Sequence, residues 1–225
     1  MPLLELEQSC RLRTLHADMR EASANQHAFV VSANRVIRSV LETCLEQLPY
    51  EDRAVQTPVG ATYVGRSVAV PLCAVSVVRA GESMEFELSK LMTAIPIGKL
   101  LIQRDKASKL PKLFYVSLPD DVADRHVILL EPMLATGGSA LMAIKELIQR
   151  GVLEDRIIFA NILASPEGVK AVLAEYPLVK IVTSSVEQKL NSEAFMIPGI
   201  GDFGDRYFGT TGGGGQNGQH TKLSA

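Results

Sequence analysis

Three short apolar runs, each ending in a break and each followed by residues at helical spacing, constrain this chain more than any other feature. The first, Leu72–Val78, meets Arg79-Ala80-Gly81-Glu82-Ser83 and then a helical stretch over 84–92. The second, over 127–130, meets Glu131-Pro132-Met133-Leu134-Ala135-Thr136-Gly137-Gly138-Ser139. Its helix carries Leu141, Ile144, Leu147 and Ile148 on one face, with Gly151 just past the end. The third, over 157–163, meets Ser165-Pro166-Glu167, where Ser165 suits an N-cap and Pro166 the first helical position. A helix to about residue 175 and a further strand over 179–183 follow. Strands apolar on both faces, alternating with amphipathic helices, specify an α/β fold with a parallel sheet covered on both sides.

Around that core the expectations are plainer. Residues 1–50 read as a polar helical segment, with Val36, Val40, Leu41, Cys44, Leu45 and Leu48 at helical spacing. Residues 57–65 (TPVGATYVG) read as loop. Two β-like stretches, 98–103 and 112–118, flank the polar residues 105–109 and predict an antiparallel β-hairpin flap over 97–118 that projects from the sheet. The Gly-rich tail 211–225 cannot bury apolar area and is expected to be disordered, leaving 1–210 as a single domain.

Composition excludes several classes. Lys plus Arg is 23 and Asp plus Glu 25, a net charge of −2, so no basic surplus exists for nucleic acid. An anionic ligand must therefore be held by a local cluster. Cys10, Cys44 and Cys73 are far apart with no CxxC pair, which disfavours a disulfide framework and points to a reducing compartment. The apolar run 68–78 is about half a membrane span, and the opening residues alternate leucine with acid and lack a basic stretch. No membrane partner and a cytoplasmic location are expected. There is no GxxxxGK[ST] loop and no GxSxG elbow, and the four histidines fall in no metal-ligand spacing.

Ligands of open α/β sheets bind beyond the carboxyl ends of the strands. Glu131 to Ser139 lies at such an end and suits a ribose phosphate. Gly137 and Gly138 allow close backbone approach, helix-start amides point at an anion, Thr136 and Ser139 add hydroxyls, and Glu131 can accept from sugar hydroxyls. The plainer alternative is a turn in which Ser139 only caps the helix. Arg79, at the first strand's end, and Arg104, after Leu100-Leu101-Ile102-Gln103, offer forks suited to phosphate. For Arg79 the alternative is a surface pair with Glu82 or Glu85. Residues 199–204 spell GxGxxG, but the dinucleotide fingerprint must sit inside a βαβ unit, and only 21 residues remain after Gly204. A loop presenting backbone groups to a flat, amide-like ligand is the better reading of Gly201, Asp202 and Phe203.

Four segments together, VVRAGESME (77–85), IGKLLIQRD (97–105), LLEPMLATGGS (129–139) and IPGIGDFGDRYFGT (197–210), closely resemble uracil phosphoribosyltransferases, in wording most like the eukaryotic and protist branch. The likeness covers roughly residues 12–210. It implies a type I phosphoribosyltransferase core and transfer of a phosphoribosyl group from 5-phosphoribosyl 1-diphosphate (PRPP) to N1 of uracil, giving UMP and diphosphate. Mg²⁺ would assist, held through PRPP with no direct protein ligand. The resemblance assigns Arg79 and Arg104 to the diphosphate, Glu131 to the ribose, and the run from Pro132, Met133 and Leu134 through Ala135, Thr136, Gly137, Gly138 and Ser139 to PRPP. Met196, Gly201, Asp202 and Phe203 would enclose uracil, Asp202 also meeting PRPP, and Asp202, Arg104 and Arg79 would be catalytic. Many relatives carry Asp where this chain has Glu131. The family implies a homodimer or homotetramer and, in some members, GTP as an effector. Two rivals stand beside it. One is a catalytically weak or inactive regulatory or binding protein on the same fold. The other is a transferase for a purine or orotate, for which Arg206 could supply the added cation.

Overall fold

The computed structural model describes residues 2–104 and 111–210, except for the side chain of Arg104. The expected tail at 211–225 and the polar residues 105–109 of the hairpin lie outside the described residues.

Alternation along the strands builds the core. In β4 (Leu72–Val78), Leu72 and Ala74 join one apolar cluster, while Cys73, Val75 and Val77 join another. β7 (His126–Leu130) divides in the same way, Ile128 and Leu130 facing one side and Val127 and Leu129 the other. β9 (Ile157–Ala164) is buried at every position. A side-chain period of two with both faces apolar leaves such strands only the middle of a doubly covered sheet. The first cluster packs under α1 (Cys10–Arg20), α2 (Gln26–Glu46) and α3 (Glu82–Leu91). The second packs under α4 (Gly138–Gln149) and α5 (Pro166–Glu175).

The central sheet runs β1-β10-β9-β7-β4-β5-β6, with β1 at Leu3–Glu5, β5 at Ile97–Arg104, β6 at Pro111–Ser117 and β10 at Lys180–Val186. A two-residue β8 (Met133–Leu134) also pairs with β9. All pairings in it are parallel except that of β5 with β6. Ser165 caps α5, accepting from the Gly168 N–H at 2.8 Å, with Pro166 in the first turn.

Four expectations need correction. The N-terminal segment is not helical throughout: Leu3 to Glu5 form an edge strand beside β10, too short to show a period. Residues 57–65 are not simply loop, because β2 (Tyr50–Gln56) and β3 (Thr62–Val68) form an antiparallel hairpin around them. Every residue of β2 is exposed, so the hairpin has no buried face to write an alternation into the sequence. The 97–118 hairpin does not simply project: residues 97–101 pair with β4 inside the sheet, and only Ile102 to Arg104 with Pro111 to Leu113 pair solely with each other. Finally, the glycine motif near the C-terminus is not all loop. After the small β11–β12 hairpin (Lys189–Leu190 and Met196–Ile197) the chain forms α6 (Phe203–Phe208), capped by Asp202. No described helix is long and apolar enough to cross a membrane.

Candidate active site

The loops at the carboxyl ends of β4, β7 and β9 meet above the sheet. After β4 the chain turns tightly: the Gly81 N–H donates to Val77 O at 2.8 Å, and a Cβ on Gly81 would lie 2.2 Å from Leu130 O. Only a residue without a side chain lets these two strand ends approach so closely. The Val78–Arg79 peptide is cis. Glu82 and Glu85, the alternative partners for Arg79, are instead taken by Lys99, whose Nζ lies 2.9 and 2.5 Å from them. Arg79 reaches the C-terminal segment: Nη2 donates to Asp205 Oδ1 and Nη1 to Thr210 Oγ1, both at 2.8 Å. Asp202 Oδ1 is 3.8 Å away.

After β7 the chain runs flat against β9. Pro132 O accepts from the N–H groups of Ile162 and Leu163 at 2.9 and 3.0 Å, and Ser165 Oγ donates to Ala135 O. The turn then enters α4 through Gly137, at φ +86°, and no side chain caps the helix. Ser139 is therefore not a capping residue. Among the described residues no side chain accepts from the first-turn amides of this twelve-residue helix, the usual seat of an anion. A cavity of about 420 Å³ opens here, lined by Pro111, Glu131 and residues 133–141. Met133, Leu134, Ala135, Thr136, Gly137, Gly138 and Ser139 all line it.

A second cavity of about 330 Å³ adjoins it and shares Glu131, Met133 and Ala135. Arg79, Met196, Gly201, Asp202 and Phe203, all singled out by sequence, line it. Ile102, Ala194, Phe195 and Ile200 line it too and were missed; apolar and loop positions of this kind carry no chemical signature. Pro132 lines neither cavity and serves the strand pairing instead. Arg104 ends β5 opposite Pro111.

Glu131 stands where the cavities join. Its Oε2 is buried without a hydrogen-bond partner, and burial pushes the carboxyl up to about 8. A buried carboxyl oxygen without a partner suits a ligand hydroxyl that donates to it. Asp202 is more exposed and already employed: its Oδ1 accepts from the Asp205 N–H at 2.8 Å as the cap of α6. Arg206 is not available to a ligand carboxylate. Its Nη1 donates to Met19 O at 2.6 Å and Ile200 O at 2.9 Å, its Nη2 to Glu21 O at 2.8 Å, and its guanidinium covers the Phe29 ring. The cation that an orotate site would need is spent on backbone carbonyls.

The uracil phosphoribosyltransferase family description matches residues 6–210. A uracil phosphoribosyltransferase from Dictyostelium discoideum is 45% identical over 205 residues, covering 91% of this chain and 95% of that protein. Among solved structures, the AQ2163 protein from Aquifex aeolicus superposes with a TM-score of 0.81 at 24% identity, covering 92% of this chain and 97% of that one. An adenine phosphoribosyl transferase from Trypanosoma brucei superposes with a TM-score of 0.52 at 13% identity, covering 86% and 88%.

Proposed function

The chain belongs to the uracil phosphoribosyltransferase family, and from that premise we propose that it transfers the phosphoribosyl group of PRPP to N1 of uracil, forming UMP and diphosphate in pyrimidine salvage. The observation that carries the reading is the pair of joined cavities. One ends on an uncapped helix start, the other beneath a glycine loop, and an unpartnered carboxyl stands between them.

The 5′-phosphate sits on the amides of Gly138 and Ser139 with the Thr136 and Ser139 hydroxyls beside it, where the dipole of α4 favours negative charge. Glu131 Oε2 accepts from the ribose hydroxyls. The diphosphate lies toward Arg79 and Arg104, and uracil fills the second cavity between Met196, Gly201, Asp202 and Phe203. Breaking the glycosyl–diphosphate bond builds positive charge on the ribose and negative charge on the leaving group. The protein's contribution is charge at the diphosphate and alignment of the two reactants. Uracil presents an acceptor, a donor and an acceptor along O4, N3–H and O2. A backbone loop can match that order, whereas cytosine would leave buried groups unpaired.

Mg²⁺ fits this arrangement as a companion of PRPP. Among the described residues no group of three or more His, Cys, Asp or Glu could hold a metal ion, and Mg²⁺ commonly takes one or two carboxylates with substrate phosphates and water. The ion would be held by the PRPP oxygens and water, with Glu131 left to the ribose hydroxyls, and would neutralise charge on the departing diphosphate. The catalytic unit is residues 1–210. Assembly as a homodimer or homotetramer is supported by the β2–β3 arm, which carries Val55, Val59, Tyr63 and Val64 exposed. The free thiols of Cys10, Cys44 and Cys73 fit a cytoplasmic setting. An effector role for GTP comes from the family resemblance alone and is tested by repeating the assay with GTP.

The test is UMP formation from uracil, PRPP and Mg²⁺, with cytosine, hypoxanthine and orotate in parallel. Product from uracil alone is expected. Comparable product from cytosine would defeat the loop argument, and PRPP binding with no product from any base would favour a binding protein on this fold.

A further inference from the structure

The loop that carries Gly201 and Asp202 is mounted on side chains that line neither cavity. Glu187 follows β10 and its side chain is 1% exposed. Arg20 ends α1 and meets it two-pronged, Nη2 donating to Oε1 at 2.5 Å and Nη1 to Oε2 at 3.1 Å. Both then take hold of the same residue. Gly199 donates its N–H to Glu187 Oε2 at 2.7 Å, and its carbonyl accepts from Arg20 Nη1 at 3.0 Å. Gly199 lies at φ +67°, and a Cβ there would stand 2.1 Å from Met196 O, so the loop doubles back tightly on Met196 at this point. The neighbouring Ile200 O is held from the same end of α1, since Arg206 bridges it to Met19 O and Glu21 O. α1 is itself anchored in the core through Leu12, Leu15 and Met19.

We propose that Arg20 and Glu187 are positioning residues for the nucleobase: by clamping both backbone polar groups of Gly199 they set the height of the loop against which uracil is read. The proposal rests on the uracil reading above. The surroundings suit a fixed ion pair. One turn before Arg20, His16 is buried with Nε2 3.1 Å from Ser184 Oγ, and burial, aided by Arg20, keeps its ring neutral by pushing it down to about 4. His16 therefore does not compete with Arg20 as a cation for Glu187 near neutral pH.

The role separates from a merely structural one by which substrate feels its loss. The variants are Glu187→Gln and Arg20→Gln, assayed for the KM of uracil and of PRPP, with PRPP binding measured by calorimetry as a check that the phosphate side is intact. Removing one member of a buried pair leaves its partner's charge stranded and can unfold a protein. The double variant Arg20→Met/Glu187→Met, which removes both charges at similar volume, covers that case. The expected result is a rise of about tenfold in the uracil KM, on the scale of one charge-assisted hydrogen bond, with a clearly smaller rise in the PRPP KM and Kd, because Asp202 on the same loop also meets PRPP. A folded variant whose uracil KM stays within about twofold, or whose two KM values rise equally, would overturn the proposal. Inactivity of the unaltered protein on uracil would instead remove the base reading and this proposal with it, a pattern distinct from an active parent and an unaffected variant.

Discussion

Glu131 gives the most quantitative expectation. Its carboxyl is pushed up to about 8 by burial, from an ordinary value of 4.5, and Oε2 has no partner. Near pH 7 about nine-tenths of the unliganded molecules hold that proton, and near pH 9 about one-tenth do. Two ribose hydroxyls donating to the acid favour its ionised form. PRPP binding should therefore expel about 0.9 proton per site near pH 7 and about 0.1 near pH 9 through this group. Calorimetry in two buffers of different ionisation enthalpy reads that number directly. Glu131→Gln has the same shape and no titration, so subtracting its proton count removes the contribution of the PRPP phosphates. The affinity advantage of the unaltered protein over the variant should grow about tenfold between the two pH values. The same shift bears on stability. A raised folded value means a contribution present below about 4.5 and lost as pH climbs through about 8. The unliganded melting temperature should fall across that window, and Glu131→Gln should flatten the fall. Equal proton release by the two proteins at both pH values would refute the reasoning.

Asp202→Ala should remove most turnover while costing the cap of α6 about 1 kcal/mol, with circular dichroism unchanged in shape and the melt slightly lowered. Arg104→Ala should raise the KM of PRPP more than that of uracil; equal losses would undercut its assignment to the diphosphate. Gly81→Ala forces a methyl group to within 2.2 Å of Leu130 O and should cost about 3 kcal/mol or more, read as a lowered melting temperature or lost soluble protein.

What was legible in the sequence follows the physics of burial. β4, β7 and β9 are apolar on both faces, so their composition announces a covered parallel sheet, and the loops at their ends locate Arg79 and the run from Glu131 to Ser139. The β2–β3 hairpin lies mostly in solvent and leaves no period, and strands of two or three residues such as β1, β8, β11 and β12 are too short for one. α6 was hidden by the glycines that surround it, although Asp202 is itself a strong capping residue. The partner of Arg79 is invisible locally: Glu82 and Glu85 are the neighbouring candidates, while Asp205 lies 126 residues away. Arg20 and Glu187 are 167 residues apart, and nothing in either one's neighbourhood advertises the other.

The six residues of α6 have a bearing on any attempt to retarget this protein to another base. Phe203 and Gly204 line the cavity proposed for the base, and Asp205, one residue on, accepts from Arg79. A side chain introduced at Gly204 to reshape the cavity would begin 2.8 Å from Arg79 Nη2. Enlarging that position to exclude uracil thus displaces the arginine assigned to the diphosphate. Libraries aimed at base preference should be screened under limiting PRPP, and should vary positions 79, 205 and 210 together with the loop.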